Sequence, residues 1–287
     1  MRYNFICVNY GGTELCLGLL SSLLDMEVEL ENSIRLIVVD NFHSMEERDL
    51  LTSKLFPVRD NSSGNNIEIE IIFLDENIGY FPAMNKGLEL VRESDEYEVT
   101  IIGNNDLIYN SKFISNYLAC NYPEKTMVIS PDVVTMDGIH QNPLAVKKMS
   151  RKEILISELY STHFYVASAM RRVKKIAKPI LNFFSKNNNS TAKRPILLQS
   201  QVIQRGIGAC YILTKEFFEH YEQLDDCVFM WGEEALLSNQ VEQKDGVIFF
   251  EPSIKVLHHE SATATKSFTR DKYEIRRQSF KKFKKYL

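Results

Sequence analysis

The chain of 287 residues has one tryptophan and five cysteines, Cys7, Cys16, Cys120, Cys210 and Cys227, with no C-x-x-C pair among them. An odd, scattered set of this kind argues against a disulfide framework or a zinc site and for a reducing compartment. No uninterrupted apolar stretch approaches the ~18–20 residues that a membrane-spanning helix needs. The first residues run straight into "YNFICVNY" with no basic region before an apolar one, so no secretory signal is expected and the expected location is the cytoplasm. A G-x-x-x-x-G-K-[ST] loop is absent, which excludes a P-loop NTPase. "GIGAC" lacks the later glycine of a dinucleotide fingerprint and comes too late to open such a unit. There is no G-x-S-x-G elbow, and no RNP, zinc-finger or helix-turn-helix pattern, so no nucleic-acid partner is expected.

What is present is an ordinary globular composition, 44% hydrophobic and 25% charged, in a chain long enough for one large α/β domain or two small ones. The first half alternates strand-like and helix-like segments. "NFICVN" (4–9), "IRLIVVD" (34–40), "IEIEIIFLD" (67–75) and "EVTIIGN" (98–104) read as strands. Between them fall an apolar-periodic run ending near Leu24, "MEERDLLTSKLF" (45–56) and "FPAMNKGLELVRE" (81–93), and "SKFISNYLACN" (111–121) follows the fourth strand, all with helical spacing. Pro82 is tolerated because it falls in the first turn of its helix. The alternation predicts βαβ units and a largely parallel sheet. Such sheets bind ligands beyond the carboxyl ends of their strands. Those ends are polar in succession: Asn9, Asp40-Asn41, Asp75 to Asn77, and Asn104-Asn105-Asp106.

The second half is less regular. Residues 145–186 are helical in pattern, with Pro179 expected to break or kink them, and a polar "NNNSTAKRP" loop follows. A small-residue turn and strand, "GIGACYIL" (206–213), precedes a helix expected over "KEFFEHYEQL" (215–224). The net charge of -4 hides two basic segments. Residues 147–194 hold twelve Lys/Arg against two Glu, and residues 266–287 nine against two acids. The tail reads as an amphipathic basic helix. Each segment is either a solvated helix-forming face or a surface attracted to an anionic one, such as a membrane interface.

Six pieces stand in a fixed order: "VNYGG" (8–12), "VVDN" (38–41), "ENIGYFPAMNKGL" (76–88), "IIGNND" (101–106), "FMWGEEALL" (229–237) and "VLHHESAT" (256–263). Together they resemble the family 2 glycosyltransferases of the GT-A fold, especially the rhamnosyltransferase-like bacterial enzymes that build surface polysaccharides. The resemblance covers residues 4 to about 265. It implies a GT-A domain over 1–265, with a nucleotide-sugar-binding half (1–125), an acceptor half (126–265) with a helical insertion at about 145–200, and a basic amphipathic C-terminal helix at 266–287. It implies inverting transfer of a sugar from a UDP-, dTDP- or GDP-linked donor to a glycan or polyprenyl-diphosphate-linked acceptor. The basic segments would then dock the enzyme peripherally on the inner face of the cell membrane.

By the same resemblance, Asn9, Tyr10 and Asp40 hold the base and ribose, and Gly79, Asn77 and Asn85 approach the nucleotide. "NND" stands at the place of the family's D-x-D-type signature. Asp106 is the expected ligand of Mg2+ or Mn2+, because hard cations readily bridge a carboxylate to substrate phosphates. Asn104 stands where many relatives carry Asp and is read as a donor contact; Asn105 is either another or part of the turn. His258 is expected at the metal or the diphosphate, and matches the spacing better than His259. Glu233-Glu234 resembles the family's E-D motif, whose second acid is usually the general base that inverting transfer needs. Glu234 is therefore the candidate, with Glu233 the alternative. Trp231, Gly208 and Ala209 are expected at the acceptor side, although Trp231 also suits a buried aromatic. Read without the resemblance, Asp40 could be a turn or capping residue and the two glutamates could be favoured by a helix dipole. Two other classes remain as alternatives. A sugar nucleotidyltransferase would want a basic, Gly-rich first loop, which "VNYGGTELC" is not, and a non-catalytic nucleotide- or glycan-binding relative would not need Asp106 and the two glutamates.

Overall fold

The computed structural model describes residues 1–61, 67–93, 99–185, 199–260 and 268–287. The Asn run at 187–189 and the last residues of "VLHHESAT" lie outside them. In chain order the elements are β1 (Arg2–Asn9), α1 (Thr13–Leu24), β2 (Ser33–Asp40), α2 (Met45–Asn61), β3 (Ile67–Phe73), α3 (Tyr80–Glu93), β4 (Val99–Asn104), β5 (Leu107–Tyr109) and α4 (Phe113–Leu118). There follow β6 (Thr126–Thr135), α5 (Arg151–Tyr160), α6 (Phe164–Ser185), β7 (Gln201–Ile203), β8 (Cys210–Thr214), α7 (Lys215–Phe218), α8 (Glu233–Gln243), β9 (Val247–His258) and α9 (Arg270–Phe283).

One mixed sheet runs β3-β2-β1-β4-β8-β6-β9-β5, with β7 added on β9. Among the described residues six of its nine strands point the same way: β3, β2, β1 and β4 are mutually parallel, β8 is antiparallel to both β4 and β6, and β9 lies parallel to β6. β1 and β2 are buried on both faces, which is why they read as continuous apolar runs rather than alternating ones. Successive β1 residues serve opposite layers. Tyr3, Phe5 and Cys7 pack with Leu19, Leu20 and Leu23 of α1, Leu51 and Leu55 of α2 and Phe113 of α4. Ile6 and Val8 pack with Phe81, Met84 and Leu88 of α3 and Leu237 and Val241 of α8. Each such side chain, fully buried, contributes about 1.5–3 kcal/mol.

Two expectations need correction. α2 and α6 run on past Pro57 and Pro179, where the sequence predicted an end or a break. Proline's φ is already helical and only one backbone bond is forfeited; in α2, the buried Leu51 and Leu55 anchor the helix ahead of the proline. α7 stops at Phe218 instead of reaching Leu224, because tertiary bonds take the following groups. The Tyr221 hydroxyl donates to Gln240 O (2.8 Å) and Leu224 N donates to Asn85 Oδ1 (2.9 Å). The basic tail forms the expected helix, α9. α9 buries Tyr273, Ser279 and Phe280 against the rest of the chain.

α3 crosses β1 so closely that a Cβ at Gly87 would collide with Ile6 Cγ2. A mid-helix glycine ordinarily costs about 1 kcal/mol relative to alanine, and here it is the condition of the packing. Gly87→Ala should therefore destabilise the protein by roughly 1–3 kcal/mol despite its better helix propensity, as measured by urea unfolding. A stabilised variant would show that α3 sits further from β1.

Candidate active site

The carboxyl ends of β1, β2 and β4 finish level. Asn9 pairs with Asp40 across the sheet, and Val8 pairs with Asn104. The polar residues that follow therefore gather on one rim. Asn9 is sealed from solvent, and its Oδ1 accepts from Gly12 N (3.1 Å) and Asn105 Nδ2 (2.8 Å). Asn9 and Asn105 thus tie the first and fourth strand ends together. Tyr10 stands exposed at the end of β1, edge-on to the His43 ring at 4.9 Å. Asp40 is buried, and its Oδ2 accepts from Arg48 Nε at 2.8 Å. The Arg48 guanidinium lies over both Phe42 (5.1 Å) and Phe73 (5.0 Å) and also bonds Leu74 O.

Asn77 and Asn85 have work elsewhere. Asn77 Oδ1 accepts from Gly79 N and from Asn41 Nδ2, both at 3.0 Å, so it shapes the loop before α3. Asn85 is buried with both ends of its amide on Leu224, and Nδ2 also on Asp226 Oδ2 at 3.2 Å. It stitches α3 to the acceptor half and does not stand among the residues gathered on the rim. Gly79 lies in that loop with φ +103, close against the backbone of Phe229.

The fourth strand end is where the two halves meet. After Asn104 the chain turns through Asn105 and Asp106 into β5, which pairs with the end of β9 in the register Leu107↔His258. That short pairing brings Asp106 and His258 together. Asp106 Oδ1 is 3.2 Å from His258 Nε2, both side chains nearly buried, and Asn104 Nδ2 is 3.3 Å from the same nitrogen. His259, by contrast, enters through its backbone, donating to Asp106 O at 2.9 Å. The His258 Nδ1 side meets Gln141 Oε1 at 2.7 Å.

These residues suit a divalent cation. Among the described residues no cluster of three or more His, Cys, Asp or Glu forms a complete cage. A carboxylate and an imidazole 3.2 Å apart could supply two ligands to a hard cation, a kind of ion that also takes phosphate and water oxygens.

From the second half of the chain, Gly208 and Ala209 run beside the β4 end. Ala209 O accepts from Asn104 N (2.9 Å), and Gly208 O lies 3.2 Å from the Tyr80 hydroxyl, which also reaches Asn104 Oδ1 at 3.0 Å. A Cβ at Gly208 would stand 3.2 Å from Glu234 Oε1, so Glu234 borders the same strand end. Glu233 is buried, and its Oε1 accepts from Trp231 N at 2.9 Å. Burial, and then the charge of Glu234, push its carboxyl up to about 7. Arg205 lies within the field of Glu234, though burial lowers the pKa of its guanidinium.

The loop that carries these acids is bent by consecutive left-handed residues, Trp231 (φ 67) and Gly232 (φ 114). A side chain at Gly232 would collide with the Phe283 ring. Ser279 Oγ donates to Met230 O (2.6 Å) and Lys282 Nζ to Cys227 O (2.5 Å). The tail thus buttresses the loop directly. Sequence reading missed Arg48, Tyr80, Gln141 and Arg205. Tyr80 lies within "ENIGYFPAMNKGL" and Arg48 within "MEERDLLTSKLF", eight residues after Asp40, which was the one available signal; Gln141 and Arg205 carried none.

No family model and no curated protein matches the sequence. The fold, however, is that of GT-A glycosyltransferases. A mannosyltransferase from Pyrobaculum calidifontis solved with GDP-Man and Mn2+ superposes over 98% of this chain with a TM-score of 0.56 at 12% identity. GalNAc-T7 solved with UDP, GalNAc and Mn2+ gives 0.55 over 90% of the chain at 13% identity, and S. aureus TarS 1–349 with UDP-GlcNAc gives 0.54 over 96% at 13%. The chain spans 63%, 44% and 64% of those three proteins respectively. Identity this low speaks for the fold alone.

The raised carboxyl of Glu233 has a consequence for stability. The folded state holds a proton up to about pH 7 that the unfolded chain releases near the ordinary glutamate value of 4.5. This contribution is therefore fully present below about pH 4.5 and is lost as pH rises through 7. Glu233→Gln keeps an acceptor for Trp231 N and removes the buried charge. It should raise the melting temperature at pH 8, by an amount on the order of 2–3 kcal/mol in stability, and leave it unchanged near pH 4. Equal shifts at both pH values would count against a buried, proton-holding Glu233.

Proposed function

We propose that the protein is a divalent-cation-dependent family 2 glycosyltransferase of the rhamnosyltransferase-like kind. It would transfer a hexosyl or deoxyhexosyl group, with inversion, from a nucleotide sugar to a hydroxyl of a glycan or lipid-linked glycan during surface-polysaccharide synthesis. The observation that carries the reading is the convergence at one strand end of Asp106 and His258 with Glu234, which enters across Gly208.

The nucleotide would lie across the level ends of β1, β2 and β3. Tyr10 and Phe73 are exposed there, Phe73 with the Arg48 guanidinium over its ring, and stacking on an aromatic ring suits any base. Asp40 would meet the base as half of an Asp–Arg pair, its charge already balanced by Arg48. Asn104 is oriented by the Tyr80 hydroxyl, with its amide available beside the diphosphate or sugar. Asp106 and His258 would hold Mg2+ or Mn2+. When bound, that ion supplies positive charge against the leaving diphosphate. Glu234 would take the proton of the attacking hydroxyl, while Glu233 holds the α8 N-terminus and the Trp231 turn in place. Trp231, half-buried in that turn, would flank the acceptor.

Glu234→Gln should lower kcat by roughly 10²–10⁴-fold. It should leave untouched the thermal shift produced by a nucleotide sugar with Mn2+, because neither ligand contacts that carboxylate in this reading. A variant that turns over normally would remove Glu234 as the base. Wild-type protein giving no turnover with any nucleotide sugar, while still binding one, would favour the non-catalytic relative.

The reading extends to the membrane. No helix among the described residues is long and apolar enough to cross one. α5, α6 and α9 form one body instead. Phe164 stacks on Phe268 at 5.2 Å, Arg171 lies over Phe268 at 4.4 Å, and Arg277 Nε donates to Ser161 O at 3.2 Å. The two basic stretches of the sequence thereby join. Leu155, Tyr165 and Val173 on α5 and α6 are 65%, 69% and 65% exposed amid Arg151, Lys152, Arg172, Lys174 and Lys175. Apolar side chains set among cations suit an anionic bilayer surface, where each Lys or Arg contributes about 1 kcal/mol. The protein should sediment with phosphatidylglycerol vesicles and not with phosphatidylcholine vesicles, and the combined change Leu155→Asp and Val173→Asp should release it. Equal sedimentation of this variant would remove the face from the proposal.

A further inference from the structure

We propose that Gln141 is a positioning residue for the candidate cation pair. It holds His258 in the tautomer whose Nε2 presents a lone pair, not a proton, towards Asp106. The inference rests on reading Asp106 and His258 as the cation ligands.

Hydrogen-bond polarity runs one way along the chain of contacts. The Glu260 carboxylate can only accept, and it takes Gln141 Nε2 at 3.0 Å. That sets the amide so that Oε1 faces His258 Nδ1 at 2.7 Å. A carbonyl oxygen also only accepts, so Nδ1 must carry the hydrogen, and in a neutral imidazole Nε2 is then bare. Asn104 agrees with this assignment, since its Nδ2 is a donor 3.3 Å from Nε2 while its Oδ1 is occupied by the Tyr80 hydroxyl. The bare nitrogen stands 3.2 Å from Asp106 Oδ1. Metal-binding histidines are generally fixed in this way by an acceptor on the far ring nitrogen.

Gln141 has little freedom to do otherwise. Its backbone N donates to Val133 O at 2.8 Å in the return from β6. On one side His140 Nδ1 lies 2.9 and 3.0 Å from the two Asp132 oxygens. On the other, Asn142 Nδ2 donates to Pro131 O and Asn142 Oδ1 accepts from Ile207 N, both at 2.6 Å. The side chain that fixes His258 thus projects from backbone anchored on both flanks. A merely structural role would be to tie residue 260 to this hairpin, and the two roles separate by experiment.

The probe is Mn2+ with UDP or GDP, titrated into the full chain and followed by the electron paramagnetic resonance signal of the free ion. Long-range 1H–15N NMR of His258, well above the histidine titration range, reads the tautomer in unaltered protein. The expected results are a proton on Nδ1, and Mn2+ affinity roughly 10–100-fold weaker in Gln141→Ala. The double change Gln141→Glu with Glu260→Gln, which keeps an acceptor for Nδ1 and a donor between the two residues, should recover binding. A proton on Nε2 overturns the proposal. So does wild-type affinity in Gln141→Ala when His258→Ala has lost it, or a double variant that folds yet fails to recover. If wild-type protein binds no Mn2+ with either nucleotide, the cation reading itself fails and the role of Gln141 falls with it.

Discussion

The position of β8 is the constraint from which the site follows. It is a strand of the acceptor half set antiparallel between β4 and β6, in a sheet whose first four strands are parallel. Because β8 runs against β4, the residues that enter it must cross the carboxyl end of β4. Gly208 and Ala209 are those residues. They come so close that Gly103 has no room for a side chain against Ala209 O. The contact passes in one step from Asn104 through Ala209 and Gly208 to Glu234. A parallel strand here would be entered at its opposite end, and the acidic pair on α8 would have no backbone beside the nucleotide rim to pack on.

A rim that gathers this many carboxylates must dispose of their charge, and it does so in three ways. Asp40 is paired with an arginine held between two rings. Asp106 faces an imidazole. Glu233 is buried without a cation, and its carboxyl rises to about 7 under desolvation and the field of Glu234; the backbone N–H groups at the start of α8 offset part of that cost. Of the two adjacent carboxylates, Glu233 is buried and holds the turn through Trp231 N, while Glu234 borders Gly208.

Much of this was legible in the sequence, and the limits have physical causes. Strands buried on both faces announce themselves as apolar runs, so β1, β2 and β4 and their polar ends were read correctly. β6 was not read at all. "TMVISPDVVT" is interrupted by Ser130, Pro131 and Asp132 at the bulge where its pairing with β9 shifts register, and such an interruption looks like a turn. β5 is three residues long, too short to show any period, yet its pairing with β9 is what brings Asp106 to His258. Asn77 and Asn85 fell within a motif and were read as contacts for a ligand. Their amides bond backbone and side-chain groups of the protein, a distinction that spacing cannot carry because the same group suits either partner. Gln141 belongs to no motif, and only its partners His258 and Glu260, both from one remote segment, mark it out.

The tail shows most plainly how a segment's composition and its placement answer different questions. Its charge sets it apart from the acidic remainder of the chain, and it reads as an appendage. Its apolar positions say otherwise, since Tyr273, Phe280 and Phe283 point into the protein and Phe283 occupies the space that Gly232 leaves. The glycine is needed twice over, for a φ of 114 and for that ring. A catalytic group has to be held to within about 0.5 Å by packing around it, and two successive left-handed residues do not hold themselves. α9 provides the hold through Ser279 and Lys282 on the loop's carbonyls and Phe283 on its bend. The same helix is tied to the end of α5 by Arg277 Nε on Ser161 O, so one helix links α5 to the loop of Glu234.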